Sequence, residues 1–327
     1  MEHFLQTPLW GEVQRALGQT VVERGGPGWR YLATLERNAL GTILYAPYGP
    51  VASTAESLRA ALGSLEAEAR RLGAMAVRIE PVEAPFGGDP AAALRGLGLT
   101  RAPSDLQPEL TWLVGLDGDE KDILGAMKST NRNLHRNIHK KGVTVRSSDD
   151  PAELGILLRL LHATAARGRF TPQSDSYLRT VAQTLMPAGA ASLWIAELEG
   201  TPIAAALVYD TADTRTYAHA AIDDAHRRLS AGIPLVVALI LDAKAKGLAW
   251  VDLWGVAPAD QPDHRWAGFS AFKKSFGGHE VARTGTWDLP VDKGRYAAYQ
   301  GLRGLRGVLR SVARTVLSRT KALLQRG

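Results

Sequence analysis

The sequence predicts an α/β protein made of two copies of one unit. Each copy is a mixed, mostly antiparallel sheet flanked by helices, and a basic amphipathic helix follows at the chain end. Three observations carry this reading. Two stretches of chain share an order of antiparallel strands, then a helix, then one more strand. The 327 residues are 45% hydrophobic and 22% charged, enough for two cores of ordinary size. From Lys293 to Gly327 there are nine Lys or Arg and no Asp or Glu.

The first copy opens with an amphipathic helix near Trp10–Gly18, then apolar strands at Trp29–Glu36 and Gly41–Ala46. The Gly25-Gly26-Pro27-Gly28 cluster and Asn38 supply the turns. A helix at Ala55–Leu72 and a strand at Met75–Glu80 complete it. The second copy begins with helices at Glu120–Lys140 and Ala152–Ala166. Strands follow at Ser192–Leu198, Pro202–Tyr209 and Arg215–Ile222, joined by hairpin-like connections at Glu199-Gly200 and residues 210–214. A helix at Ala231–Lys246 and a strand at Ala249–Trp254 close the unit.

Composition excludes several classes. With no cysteine, the chain has no disulfide scaffold, thiol nucleophile or thiolate zinc site. Its eight His include no H-E-x-x-H, and no metal or redox cofactor is implied. No Ser-His-Asp spacing or nucleophile elbow supports a covalent acyl-enzyme. No apolar run approaches the roughly 18–20 residues of a membrane span. The opening MEHFLQTPLWGEVQ lacks the basic and apolar regions of a signal peptide, so a cytoplasmic protein is expected. The net charge of +6 is uneven, because residues 1–292 hold 30 of the 39 basic residues against all 33 acidic ones.

Two segments hold most of the candidate chemistry. In 249-AWVDLWGVAPADQPDHRWAGFSAFKKSFGG-278 a strand ends at Asp252-Leu253-Trp254-Gly255, and a polar loop leads to Phe272-Lys273 and Phe276-Gly277-Gly278. A lysine between two aromatics can present a cation in a partly dry site, to bind phosphate or a developing oxyanion. An ordinary helix with Phe272 and Phe276 in the core and Lys273 in water is the alternative. On the predicted helix Glu120–Lys140, Ile123, Met127, Leu134 and Ile138 form an apolar stripe. Lys128, Arg132, Arg136 and Lys140 make a basic edge about 18 Å long, suited to phosphates or simply to water. Asp252 stands where it could orient an amine or cap a loop. Tyr45, Tyr48, Tyr177 and Tyr217 suit a peptide groove or half-buried packing. His162 and His219 read as structural histidines.

The element order of the second copy resembles GNAT-type acyltransferases, in which a loop before the central helix cradles a pyrophosphate. Here 227-RRLSAG-232 fits that loop with Ser230 in place of a glycine, and a solvated turn capped by Ser230 fits equally. The pattern V-D-L-W-G-V…G-x-x-x-F-K-x-x-F-G-G more closely resembles the FemXAB family. That resemblance continues in order through 4-FLQTPLWGEV-13, 45-YAPYGPV-51, 78-RIEP-81 and residues 107–145, to about Trp287. It implies two GNAT-like domains: residues 1–111, to which the chain returns at about 286–302, and residues 112–285. The tail is 303–327. It also implies an aminoacyltransferase that takes its donor from charged tRNA. The acceptor is the side-chain amine of the third stem-peptide residue of a peptidoglycan precursor, lipid II or a UDP-linked muramyl pentapeptide. Phe272 and Lys273 fall at the family's Phe-Lys pair, with Trp254 and Gly255 at the strand end beside them. Arg169 and Tyr177 are the candidates for a phosphate-binding Arg and its following Tyr. The family's Lys just after the first Trp is missing, since Trp10 is followed by Gly11, Glu12, Val13 and Gln14. Between Ile222 and Trp254 there is no room for a coiled-coil arm, so the chain resembles an arm-less, monomeric member.

The rival readings are a GNAT N-acyltransferase using acyl-CoA, and a non-catalytic RNA- or membrane-binding module. In residues 301–327, Leu302, Leu305, Leu309, Val312, Val316 and Leu323 share one helix face, with Arg303, Arg310, Arg314 and Lys321 on a flank. Such a helix fits peripheral contact with an anionic inner-leaflet membrane, packing on the first unit, or the body of a tRNA.

Overall fold

Alternation in the first strands places their apolar residues on one side of a sheet. The computed structural model describes residues 1, 3–82, 89–168, 171–264 and 266–303. After a 3-10 turn at Phe4–Gln6, helix α1 (Pro8–Ala16) starts at an N-cap where the Thr7 hydroxyl accepts the Trp10 N–H. Strands β1 (Val21–Gly26), β2 (Trp29–Asn38), β3 (Gly41–Ala46) and β4 (Val51–Ala52) follow, then α2 (Ala55–Arg71) and β5 (Ala76–Ile79). Next come α3 (Pro90–Gly96) and β6 (Thr100–Arg101). The first sheet runs β1-β2-β3-β5, with β4 beside β2.

The second sheet uses β7 (Leu110–Gly115), β8 (Val143–Ser148), β9 (Ala191–Leu198), β10 (Thr201–Asp210), β11 (Thr214–Ile222), β12 (Trp250–Gly255) and β13 (His279–Ala282). Its order is β13-β7-β12-β11-β10-β9-β8. Its helices are α4 (Glu120–Ala126), α5 (Ser129–Asn137), α6 (Leu154–Gly168), α7 (Asp175–Leu185), α8 (Gly232–Ala245) and α9 (Ala267–Lys274). Between Ile222 and Trp254 the chain holds a 3-10 turn, α8 and β12.

The chain then returns. Strand β14 (Trp287–Pro290) inserts between β5 and β6 of the first sheet, followed by a helix over residues 293–303. The register seats Arg78 opposite Asp288, and the Arg78 guanidinium donates two 2.7 Å bonds to that buried carboxylate. In each sheet one parallel pair is bridged by a crossover helix: β3-α2-β5 and β11-α8-β12. The core of the first unit lies between β2, β3, β5 and helices α2 and α3. That of the second lies between β10–β12 and α8. A third core joins the units, packing Phe4, Trp10 and Val13 against α6, α7, Leu207 and Tyr209.

Two expectations change. Glu120–Lys140 is not one helix. Met127 and Lys128 are extended, and α5 restarts at Ser129, because Lys128 N–H and the Asn131 amide both donate to the Ser275 carbonyl. The 18 Å basic edge is therefore interrupted. Arg132 turns back to donate to the carbonyls of Gly125 (3.1 Å) and Met127, closing the end of α4. Arg136 is exposed. The amphipathic-tail reading falls on 304–327, outside the described residues, as do Arg169 and the membrane contact assigned to that tail. No helix among the described residues is long and apolar enough to cross a membrane.

Candidate active site

The parallel pair of the second sheet parts early. Thr214–Thr216 register with Trp250–Asp252, after which β11 continues beside β10 alone. Strand β12 shifts register between Asp252 and Gly255 before rejoining β7. The shift has a local cause. Buried Asp252 accepts the Trp254 N–H at 2.7 Å, and Trp254 takes a φ of +66°. Gly255 follows because a Cβ there would lie 2.7 Å from Pro108 Cγ.

The Gly255 carbonyl, thus turned, accepts a 2.6 Å bond from Lys273 Nζ on α9. Lys273 is therefore not a solvated lysine on a helix surface. Burial pushes its pKa down from 10.5 to about 8, against the pull of the Asp252 carboxylate. Phe272 meets Phe276 edge-to-face at 5.0 Å and reaches towards Gly232, the first residue of α8. Phe276 is fully buried. Gly277 and Gly278 both have positive φ, and a side chain on Gly278 would strike the Leu113 carbonyl. The Gly-Gly turn thus folds α9 back over β7, with the Trp112 indole donating to the Gly277 carbonyl.

The N-terminus of α8 sits at the same opening. Ser230 takes a φ of +52° at the end of the preceding 3-10 turn, and no side chain caps α8, so Ser230 is not its cap. Ile233 N–H donates to the Ser230 carbonyl at 2.9 Å and Pro234 has no N–H, which leaves the Gly232 N–H as the first-turn donor without an acceptor among the described residues.

Behind the strand end, a cavity of about 270 Å³ lies between the two units. Its walls include Trp10, Gln14, Glu36, Tyr45 and Gln107 from one side and Gln173, Tyr177, Tyr209, His219 and Trp254 from the other. His219 reaches it through a bulge. Leu207 pairs with His219 and Val208 with Tyr217, so Ala218 is the extra residue. Tyr217 is consequently turned into the α8 core, and His219 towards the cavity, where burial lowers its pKa to about 4. Burial pushes Tyr177 up to about 12. A larger concavity, about 360 Å³, lies away from Lys273 among Glu23, Arg24 and Arg30.

The structure brings Phe272, Lys273, Asp252, Trp254 and Gly255 together, and Tyr45 and Tyr177 with the cavity. It separates others. Tyr48 is buried at the junction of the units, donating to the Pro108 carbonyl at 2.8 Å, and Tyr217 is in the core, so neither lines the cavity. His162 is exposed and pairs with Asp175 at 2.7 Å. Asp252 has become a backbone pivot, 4.0 Å from buried Arg283. Sequence reasoning missed Glu36, Gln107, Tyr209 and Arg283. The signal for Glu36 was present: Thr34 and Glu36 put polar groups on one face of a strand whose other face, Tyr31, Ala33 and Leu35, is core. Among the described residues no cluster of acidic and His side chains could hold a metal.

A duplicated sheet with a crossover helix, opened at one parallel pair, defines a tandem GNAT-fold protein. The acetyltransferase (GNAT) domain family matches residues 125–267. A crystal structure of FemX superposes with a TM-score of 0.81 over 90% of this chain and 94% of its own, at 19% identity. A tandem GNAT protein from the clavulanic acid biosynthesis pathway gives a TM-score of 0.52 over 84% and 83%, at 16% identity. In sequence, the chain is similar to lipid II:glycine glycyltransferase of Staphylococcus aureus, 29% identical over 168 residues. That match covers 48% of this chain and 40% of the length of that relative. The fold is thus that of FemX, and the chain spans less than half the length of the staphylococcal relative that it matches in sequence.

Proposed function

We propose that this protein is an aminoacyltransferase that moves an aminoacyl group from charged tRNA to an amine of a peptidoglycan precursor. The precursor is lipid II, and the amine is the side-chain amine of its third stem-peptide residue. The observation that carries this is Lys273, a half-buried amine fixed at the opened strand pair, with a cavity shared by both units behind it. The lipid II acceptor is taken from the similar staphylococcal protein, a lipid II:glycine glycyltransferase.

An ester donor needs no covalent enzyme intermediate. The acceptor amine attacks the ester carbonyl, the carbonyl oxygen becomes an oxyanion, and the ester oxygen leaves as a ribose hydroxyl carrying the proton the amine has lost. Holding the two reactants together supplies much of the rate. Protonated Lys273 supplies a donor for the oxyanion, and its bond to the Gly255 carbonyl holds it in place until then. Phe272 shapes the approach along the N-terminus of α8. The Gly232 N–H at the start of α8 suits a phosphate of the incoming chain end.

The test is transfer of labelled amino acid from charged tRNA to lipid II by the purified full chain, with an RNase-treated control and an acyl-CoA arm. RNase-sensitive label in lipid II is the expected result. Consumption of acyl-CoA instead would make the protein an ordinary GNAT acyltransferase, and turnover of neither donor would remove the enzyme reading.

A further inference from the structure

Three acids share the cavity-facing side of the first sheet, and two are fully engaged. Asp288 takes the bidentate Arg78 guanidinium and the Tyr296 hydroxyl. Glu80 accepts from the Tyr45 hydroxyl, the N–H groups of Leu106 and Gln107, and the Thr286 hydroxyl. Glu36 differs. It is partly buried, lines the cavity, and has no hydrogen bond or ion pair among the described residues.

A carboxylate withdrawn from water without a partner is costly, and its natural complement is a cation. The other walls agree. Trp10, Tyr45, Tyr177, Tyr209 and Trp254 give the cavity aromatic sides, which attract an ammonium through their faces. The Tyr209 hydroxyl, fully buried in that wall, has no partner among the described residues and has lone pairs free to accept an N–H. None of the described lining residues is Lys or Arg, His219 is neutral, and Arg78, the cation whose field reaches Glu36, is already held by Asp288.

We propose that Glu36 and this aromatic cavity form the subsite for the acceptor side chain, and that it selects a plain alkyl ammonium over an ammonium whose carbon also bears a carboxylate. Resting on the function proposed above, this names the acceptor as lysine-type rather than diaminopimelate-type. A diaminopimelate end would bring its carboxylate against Glu36, and no described lining residue is a Lys or Arg that could neutralise it. Trp254 connects this subsite to the chemistry, since the next carbonyl along the chain holds Lys273.

The test is binding to the full chain, read from tryptophan fluorescence, of three soluble muramyl pentapeptides. They carry lysine, Nε-acetyl-lysine or meso-diaminopimelate at position three. The lysine form should bind about tenfold tighter than either other, the effect of one shielded ammonium contact with an aromatic cage. Glu36→Gln should reduce that preference to within about twofold while leaving the circular dichroism and the melting temperature near wild type. Equal binding of the three peptides, no binding of any, or an undiminished preference in Glu36→Gln would each overturn the subsite. Transfer from charged tRNA, measured in parallel, separates the two readings. Transfer at equal rates to lysine and diaminopimelate acceptors overturns the subsite and keeps the enzyme. Selective binding without transfer keeps the subsite and removes the enzyme.

Discussion

The two units are variations on one plan, and their difference lies at the parallel strand pair. In the first, β3 and β5 stay in register over Ile43–Ala46 and Ala76–Ile79, to the ends of both strands. The crossover helix α2 starts in a capping box, Thr54 and Ser57 bonding each other's backbone N–H. In the second, β11 and β12 pair over three residues and separate, and α8 begins without a side-chain cap. One copy has its parallel pair closed to the strand ends and its crossover helix capped by side chains. The other parts its strand pair where Lys273 stands and starts its crossover helix without a side-chain cap. Duplication thus permits a division of labour, in which one copy is a wall and the other a working cleft.

The sharpest way to break that comparison is to remove the amine in the open unit. Lys273→Ala should lower transfer by about 10²–10³, the usual loss for one oxyanion donor, with the circular dichroism unchanged. Near-normal turnover would remove Lys273 from the chemistry.

The pH profile sharpens its role. With a pKa near 8, an oxyanion donor is active when protonated, so transfer per neutral acceptor amine should fall about tenfold per unit as pH rises above 8. A rate per neutral amine that rises through pH 8 would instead make Lys273 the base that deprotonates the acceptor.

Stability should move the opposite way to activity. The folded pKa of Lys273 lies below its unfolded value, so the unfolded chain binds more protons between pH 8 and 10.5, and stability rises with pH across that window. Lys273→Met should therefore stabilise the protein by roughly 1–3 kcal/mol at pH 7 in denaturant unfolding, with the gain shrinking towards pH 10.5. A destabilised variant at pH 7 would mean that the bond to Gly255 outweighs the burial penalty.

In the sealed unit the same kind of change should affect stability alone. Thr54→Ala is expected to cost about 1 kcal/mol and leave transfer unchanged. A loss of activity beyond the unfolded fraction would show that the first unit takes a direct part in donor chemistry.

The smallest effect separates two arginines. Arg136→Gln should reduce the salt dependence of tRNA binding by about one unit of slope. Arg132→Gln should leave the slope unchanged and lower the melting temperature, because Arg132 closes α4. Equal slope changes would restore the continuous basic edge.

The fold was legible where periodicity is strong. Strands β9–β11 and helix α8 lie within a residue or two of their expected bounds, since alternating apolar runs and the Glu199-Gly200 turn define them. Four things resisted. The break at Met127-Lys128 depends on a carbonyl supplied by Ser275, far along the chain. The bulge at Ala218 reverses which residues face the cavity, and local pattern carries no trace of it. Strand β14 has only four residues, and its partners lie far off in sequence, β6 nearly two hundred positions away and β5 more than two hundred. The cavity carboxylate stood in plain alternation on β2, but its lack of a partner is visible only once Asp288 and Glu80 have been matched to theirs. Lys273 was found because a Phe-Lys pair before Phe-Gly-Gly is compact in sequence. Its depressed pKa was not, because burial is contributed by elements from across the second unit.

The returning strand also imposes an order of events on synthesis. The second sheet is drawn from a continuous stretch, residues 110–282, and can close as that stretch leaves the ribosome. The first sheet is made first but has a gap between β5 and β6 until residues 287–290 arrive, and Arg78 waits for a counter-charge 210 positions downstream. A nascent chain stalled before β14 would therefore hold a finished C-terminal unit and an N-terminal unit with two unpaired strand edges, the form most open to chaperones and to aggregation.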